Sequence, residues 1–174
     1  MAVMFEGFPR TLQRSALRPG RWFVAAEGPR PILCLATDVV DGGEPLAVVF
    51  TLPDVEQIEV VPVPVAVLVE PFATVEDDVV FSPGQSEGLP MLVAPQRRAF
   101  RPGALLRLSS GDLGIGVVTK VSETMVAVSL TSGMASEGFD LVFDRWSLSL
   151  RRGGNQTRIG HHKPRHLYAE RRRY

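Results

Sequence analysis

Short apolar runs bounded by Gly, Pro, Asp or Ser recur along the chain: Trp22-Phe23-Val24, Ile32-Leu33-Cys34-Leu35, Leu46-Ala47-Val48-Val49-Phe50, Ile115 to Val121 and Met125 to Leu130. They are rich in β-branched and aromatic residues, and no long run keeps the i, i+3, i+4, i+7 period. The pattern predicts an all-β chain of antiparallel strands in small barrels or sandwiches. The single helical candidate is Pro9 to Leu17, where Pro9 suits a first helical turn and Leu12 and Ala16 share a face. Near the end, Phe139, Leu141 and Phe143 alternate with polar residues, and Trp146, Leu148 and Leu150 alternate with serines, the phase slipping by one at Asp144-Arg145. A one-residue slip in a period-two pattern reads as a β-bulge that keeps both halves on one core.

Sliding the chain against itself by 83 residues matches Ala16, Arg18, Pro19, Gly20, Gly28 and Ile32 with Ala99, Arg101, Pro102, Gly103, Gly111 and Ile115. In each copy Pro presets φ at the second position of a turn and Gly supplies the positive φ that a type II turn requires at the third. The expectation is two related β-modules, a degenerate duplication, at residues 10–52 and 97–150. An N-terminal arm (1–9) would precede them, an acidic Pro-rich β-connector with short strands (53–96) would join them, and an extended Arg/His-rich tail (151–174) would follow. Val61-Pro62-Val63-Pro64-Val65 fits an edge strand or an extended connector, because each Pro lacks the donor that a central strand needs.

Phe100-Arg101-Pro102-Gly103-Ala104-Leu105-Leu106-Arg107-Leu108-Ser109-Ser110-Gly111 runs from an aromatic residue through a Pro-Gly turn and an apolar strand to a second Gly turn. It resembles the opening of small barrels of the Src-homology-3 kind. The resemblance implies an architecture and no function, since small barrels host many activities.

Charge changes the picture. The net charge is zero, yet residues 31–96 hold eleven Asp/Glu and no Lys or Arg, while the last 24 residues hold eight Lys/Arg and one Glu. Sorting the signs into blocks suggests an electrostatic partner for each. The candidate contact residues are Arg151, Arg152, Arg158, Lys163, Arg165, Tyr168, Arg171, Arg172, Arg173 and Tyr174, with Arg offering forks to phosphates or carboxylates and Tyr offering rings for stacking.

An apolar content of 45% supports a core without disulfides or metals, and the single Cys34 gives no sign of an oxidising compartment. The start of the chain lacks the features of a signal peptide, and Val60 to Val69 is too short and too Pro-rich to span a membrane, so cytoplasmic folding is expected. Cys34 sits in an apolar run and reads as a small hydrophobe. Ser110 to Gly116 reads as a hairpin turn with the wrong order for a phosphate loop. Glu76-Asp77-Asp78 reads as a solvated acidic turn, and His161-His162-Lys163-Pro164-Arg165-His166 as solvated tail histidines rather than metal ligands.

No nucleophile, base and orienting group stand together, and no cofactor is implied. The expected function is a non-enzymatic structural or assembly component, docking its basic tail onto an acidic protein subunit or another copy of itself. Viral and phage particles use parts of this kind. The alternative is nucleic-acid binding through the Arg/Tyr tail.

Overall fold

A computed structural model describes residues 10–27, 30–54, 56–84, 91–92 and 100–164. The strands are β1 (Thr11–Leu12), β2 (Trp22–Glu27), β3 (Arg30–Asp41), β4 (Glu44–Asp54), β5 (Gln57–Pro64), β6 (Val69–Thr74), β7 (Asp78–Pro83), β8 (Met91–Leu92), β9 (Leu105–Leu108), β10 (Leu113–Val118), β11 (Met125–Ser129), β12 (Ala135–Ser136), β13 (Phe139–Phe143), β14 (Trp146–Arg152) and β15 (Asn155–His162). They form a nine-stranded sheet in the order β1-β6-β2-β3-β4-β5-β15-β14-β7 and a six-stranded sheet in the order β12-β11-β10-β9-β13-β8. All pairings are antiparallel except the contact of β15 with β5.

Within each sheet lies a five-stranded unit of one design. In the first, β6-β2-β3-β4-β5 places the fifth strand beside the first, with a 3-10 turn at Val65–Val67 before it. In the second, β13-β9-β10-β11-β12 repeats that order. Both units open on the expected Arg-Pro-Gly turn. Gly20 and Gly103 share a φ of 83°, and the amides of Arg21 and Ala104 donate to the carbonyls of Arg18 and Arg101. Each glycine amide then reaches the next strand, Gly20 donating to Ala36 O at 2.9 Å and Gly103 to Gly116 O at 2.7 Å.

The repeat is shorter in its second copy. Trp22 faces Leu35, thirteen residues on, whereas Leu105 faces Ile115, ten residues on. Ile115 is therefore the counterpart of Leu35, and the expected match of Ile32 with Ile115 is out of register. Gly28 lies outside the described residues. Shortening a hairpin by three residues shifts every later match, so a single sliding offset holds only as far as the turn.

Each unit has its own core. Phe23, Ile32, Cys34, Ala47, Val49, Val65 and Phe72 fill the first; Ala104, Leu106, Leu108, Ala127 and Val142 fill the second. The largest core lies between them. There Leu33, Leu35, Val48 and Phe50, from the opposite faces of β3 and β4, meet Leu105, Ile115, Val117 and Val128 of the second unit, together with Trp146 and Leu148. Strands β3 and β4 are thus buried on both faces, which is why they read as nearly continuous apolar runs. Cys34 is fully buried there, and desolvation pushes its thiol up to about 12, against a smaller opposing pull from the Ala25 backbone.

Several boundaries differ from the sequence expectation. The 53–96 segment is not a connector throughout, because β5 and β6 complete the first unit. Its proline stretch has β4 along one side, while β15 reaches only Gln57, as suits an edge. The phase slip at Asp144-Arg145 is not a bulge. It is the point where the chain leaves β9, the partner of β13, and enters the other sheet as β14 between β15 and β7. The described part of the expected helix, residues 10–17, forms no α-helix: Thr11–Leu12 pairs with β6 and only Arg14–Ala16 makes a 3-10 turn, Pro9 lying outside the described residues. Residues 151–162 are not tail, since they complete β14 and make up β15. The expected arm, residues 1–9, lies outside the described residues.

Candidate functional site

The basic C-terminal stretch divides into two parts. Arg151 and Arg152 end β14, and Gly153-Gly154, with φ of 58° at Gly153, closes a two-residue hairpin in which Arg152 faces Asn155. Pairing of β14 with β7 brings both arginines beside the acidic turn. Arg151 Nη2 lies 3.1 Å from Asp78 Oδ2, and Arg152 Nε donates to Asp77. All four residues retain some exposure, so each pair contributes little to stability. Their effect is to neutralise charge. The acidic turn is solvated as expected, with Glu76 and Asp78 exposed, but Asp77 and Asp78 are also engaged by the chain's own arginines.

Arg158 on β15 and Lys163 after it are exposed, and no ion pair holds either among the described residues. Arg165, Tyr168, Arg171, Arg172, Arg173 and Tyr174 lie outside the described residues.

Asp41 and Asp38, also of the 31–96 block, act between the two units, while Glu70 acts within the first. The Asp41 carboxylate accepts the amides of Val121 (2.8 Å) and Ser122 (3.0 Å) and the Ser122 hydroxyl (3.0 Å). These bonds, the Val121 amide foremost, hold its pKa below the usual carboxylate value, against an opposing effect of burial. Asp38 Oδ1 accepts the Ala135 amide at 2.8 Å, and Glu70 Oε1 accepts the Arg14 amide at 2.6 Å. Replacing Asp41 with asparagine is expected to lower the melting temperature at neutral pH by a few degrees. The folded pKa of Asp41 is depressed, so its contribution is complete above the unfolded value of 3.8 and is lost as pH falls through the lower folded value. The gap between wild type and variant in pH-dependent thermal melts should close in strong acid. A constant gap would show that Asp41 does not bind these amides as a carboxylate.

Three parts of the molecule meet at Trp146 and His162. Trp146 is 1% exposed and its Nε1 donates to Gly103 O at 2.8 Å. The His162 ring stacks on it with centroids 5.1 Å apart and planes at 15°, and His162 Nδ1 lies 3.0 Å from Ile58 O. The glycine turn of the second unit is pressed against that ring, for a Cβ on Gly103 would lie 2.6 Å from His162 Cε1. Burial lowers the His162 pKa, the Ile58 carbonyl and Asp144 act to raise it, and His161 adds to the lowering. His161 Nδ1 is buried with no hydrogen-bond partner among the described residues. The expected solvated tail histidines are therefore, at positions 161 and 162, structural members of a joint. The signal missed was Gly153-Gly154 between Ser147-Leu148-Ser149-Leu150 and Thr157-Arg158-Ile159, a hairpin signature that the arginine count obscured.

An apolar cavity of about 50 Å³ lies between β3, β4 and β5 and the β14–β15 hairpin, lined by residues that include Leu33, Phe50, Ile58 and Leu148. Its lining offers apolar packing and no convergent titratable groups. Among the described residues no cluster of three His, Cys, Asp or Glu is placed to hold a metal ion, and no helix is long and apolar enough to cross a membrane.

No family model, no curated protein and no solved structure matches this chain.

Proposed function

We propose that the protein is a non-enzymatic assembly component, in which a rigid two-barrel body carries a basic C-terminal segment that docks on an acidic surface of another copy or of a neighbouring subunit. The observation that carries this reading is how the basic residues are divided. Asp78 and Asp77 occupy Arg151 and Arg152, whereas Arg158 and Lys163 have no ion pair among the described residues, and the sequence beyond them adds Arg165, Arg171, Arg172 and Arg173. Glu44, Glu56 and Glu76 remain exposed on the body as acidic counterparts. A contact between different patches is heterologous and builds rings or open chains.

Each five-stranded unit is a small barrel of the Src-homology-3 kind in this reading. The fifth strand lying beside the first, the separate core and the shared Arg-Pro-Gly turn support it. A common origin of the two units by duplication follows from the same features.

Sedimentation velocity on the full chain and on a version ending at Pro164 tests the docking. Self-association of the full chain at about 50 mM salt should be lost in the shortened version and at about 500 mM, where screening acts within a few ångströms. Monomers throughout, with no acidic protein retained by either form, would overturn the proposal. Tyr168 and Tyr174 among the arginines favour nucleic-acid binding as a second reading. That reading requires a mobility shift whose affinity falls steeply with salt and vanishes on the same truncation.

A further inference from the structure

The C-terminal hairpin joins the first barrel along a very short seam. Only His161 of β15 pairs with β5, opposite Gln57, and its amide donates to Glu56 O at 2.7 Å. Beside it the His162 ring is gripped on three sides: by Trp146 of its own hairpin, by the Ile58 carbonyl of the first barrel and by the Gly103 turn of the second. A carbonyl only accepts, so Nδ1 must carry the ring proton in the neutral form and Nε2 must be bare. Nε2 lies on the side pressed by Gly103 and has no hydrogen-bond partner among the described residues. A second proton would therefore place a charge on a ring stacked against Trp146 and pressed by the Gly103 turn, next to a histidine whose own Nδ1 is buried with no hydrogen-bond partner among the described residues.

We propose that His162 is an acid-sensitive clasp: neutral, it fastens the end of β15 to β5 and to the Gly103 turn, and protonation opens that seam while both barrels stay folded. The barrels survive because their two separate cores include no residue of β14 or β15. The groups that face the ring act in both directions. Asp144 favours the charged form, as does the indole face of Trp146 through its π-cloud, whereas burial and His161 oppose it. Burial is the largest of these effects.

The sign follows from linkage. The folded pKa of His162 lies below the unfolded value of 6.5, so the closed seam is fully stable above 6.5 and weakens as pH falls toward the folded value. Within that window opening should rise by at most about tenfold per pH unit for one proton.

Ring titration by NMR and amide hydrogen exchange on the full chain, corrected for the intrinsic effect of pH, test this. His162 should titrate below 6.5, and protection of the His161 amide should fall between about pH 7 and pH 5 while that of Cys34 and Val48 in the first barrel holds. In His162→Phe, which keeps an aromatic ring on Trp146 and removes the ionisable group, the fall should disappear. If that variant does not fold, His162→Gln, which can still donate to Ile58 O, takes its place. The clasp is overturned if His162 titrates at or above 6.5, if protection of His161 does not change with pH, or if it falls equally in the variant.

Discussion

Gly133→Ala will be the most damaging glycine substitution among the described residues. The glycine has φ of +70°, and a Cβ there would lie 2.1 Å from Gly20 N, 2.4 Å from Ala36 O and 2.9 Å from Pro19 C. Every neighbour is backbone, so no side chain can swing aside. The intruding carbon also falls on the Gly20 N to Ala36 O hydrogen bond that fixes the first Arg-Pro-Gly turn. Left-handed φ alone costs about 1–2 kcal/mol for an L-residue. Forcing two packed backbones apart adds about 1–3 kcal/mol more. Gly43→Ala is the control, since Gly43 has φ of +86° and nothing within 4 Å of an added Cβ, so it pays the conformational cost alone. Urea unfolding should place Gly133→Ala well below Gly43→Ala in midpoint. Equal midpoints would show that the two units do not approach each other at Gly20 and Gly133.

Trp146→Ala is the second large effect, about 3–5 kcal/mol for emptying so large a buried site. The indole touches three aromatic rings, Phe81 at 5.3 Å, Phe50 at 6.3 Å and His162 at 5.1 Å, and these come from different segments of the chain. Trp146→Phe separates packing from hydrogen bonding. It retains most of the apolar contact and leaves Gly103 O without its donor, a loss of about 1–3 kcal/mol. The alanine variant should also loosen the joint preferentially, so amides of β14 and β15 exchange faster than those of β3. A loss confined to global stability, with uniform exchange, would deny Trp146 its place as the meeting point of the three parts.

Both substitutions act where sequence reasoning had least to offer. The Arg-Pro-Gly turns were legible because turn chemistry is local: Pro sets one φ and Gly permits the next, whatever lies elsewhere. The strand runs were legible for the same reason, as was the burial of Cys34. The electrostatic reading was only half legible. Counting charges located the blocks correctly, but whether a block faces water, a partner or its own opposite depends on which strands become neighbours. Arg151 and Arg152 meet Asp78 and Asp77 because β14 pairs with β7, some seventy residues apart in sequence. The histidines at 161 and 162 read as tail because nothing within a few residues of them reveals Trp146 stacked on one side and Gly103 pressed on another.

By itself, the chain determined an all-β body, the two glycine turns that start its halves and the separation of its charges, since period-two patterning, backbone φ and composition all operate over a few residues. Tertiary structure alone decided that the slip at Asp144-Arg145 is a change of sheet, that the second hairpin is three residues tighter and that the first half of the supposed tail, residues 151–162, closes the larger sheet. Those outcomes turn on burying the outer faces of β3, β4 and β10 against one another. That demand arises from the whole surface left over once each five-stranded unit has formed, and no stretch of sequence carries it locally.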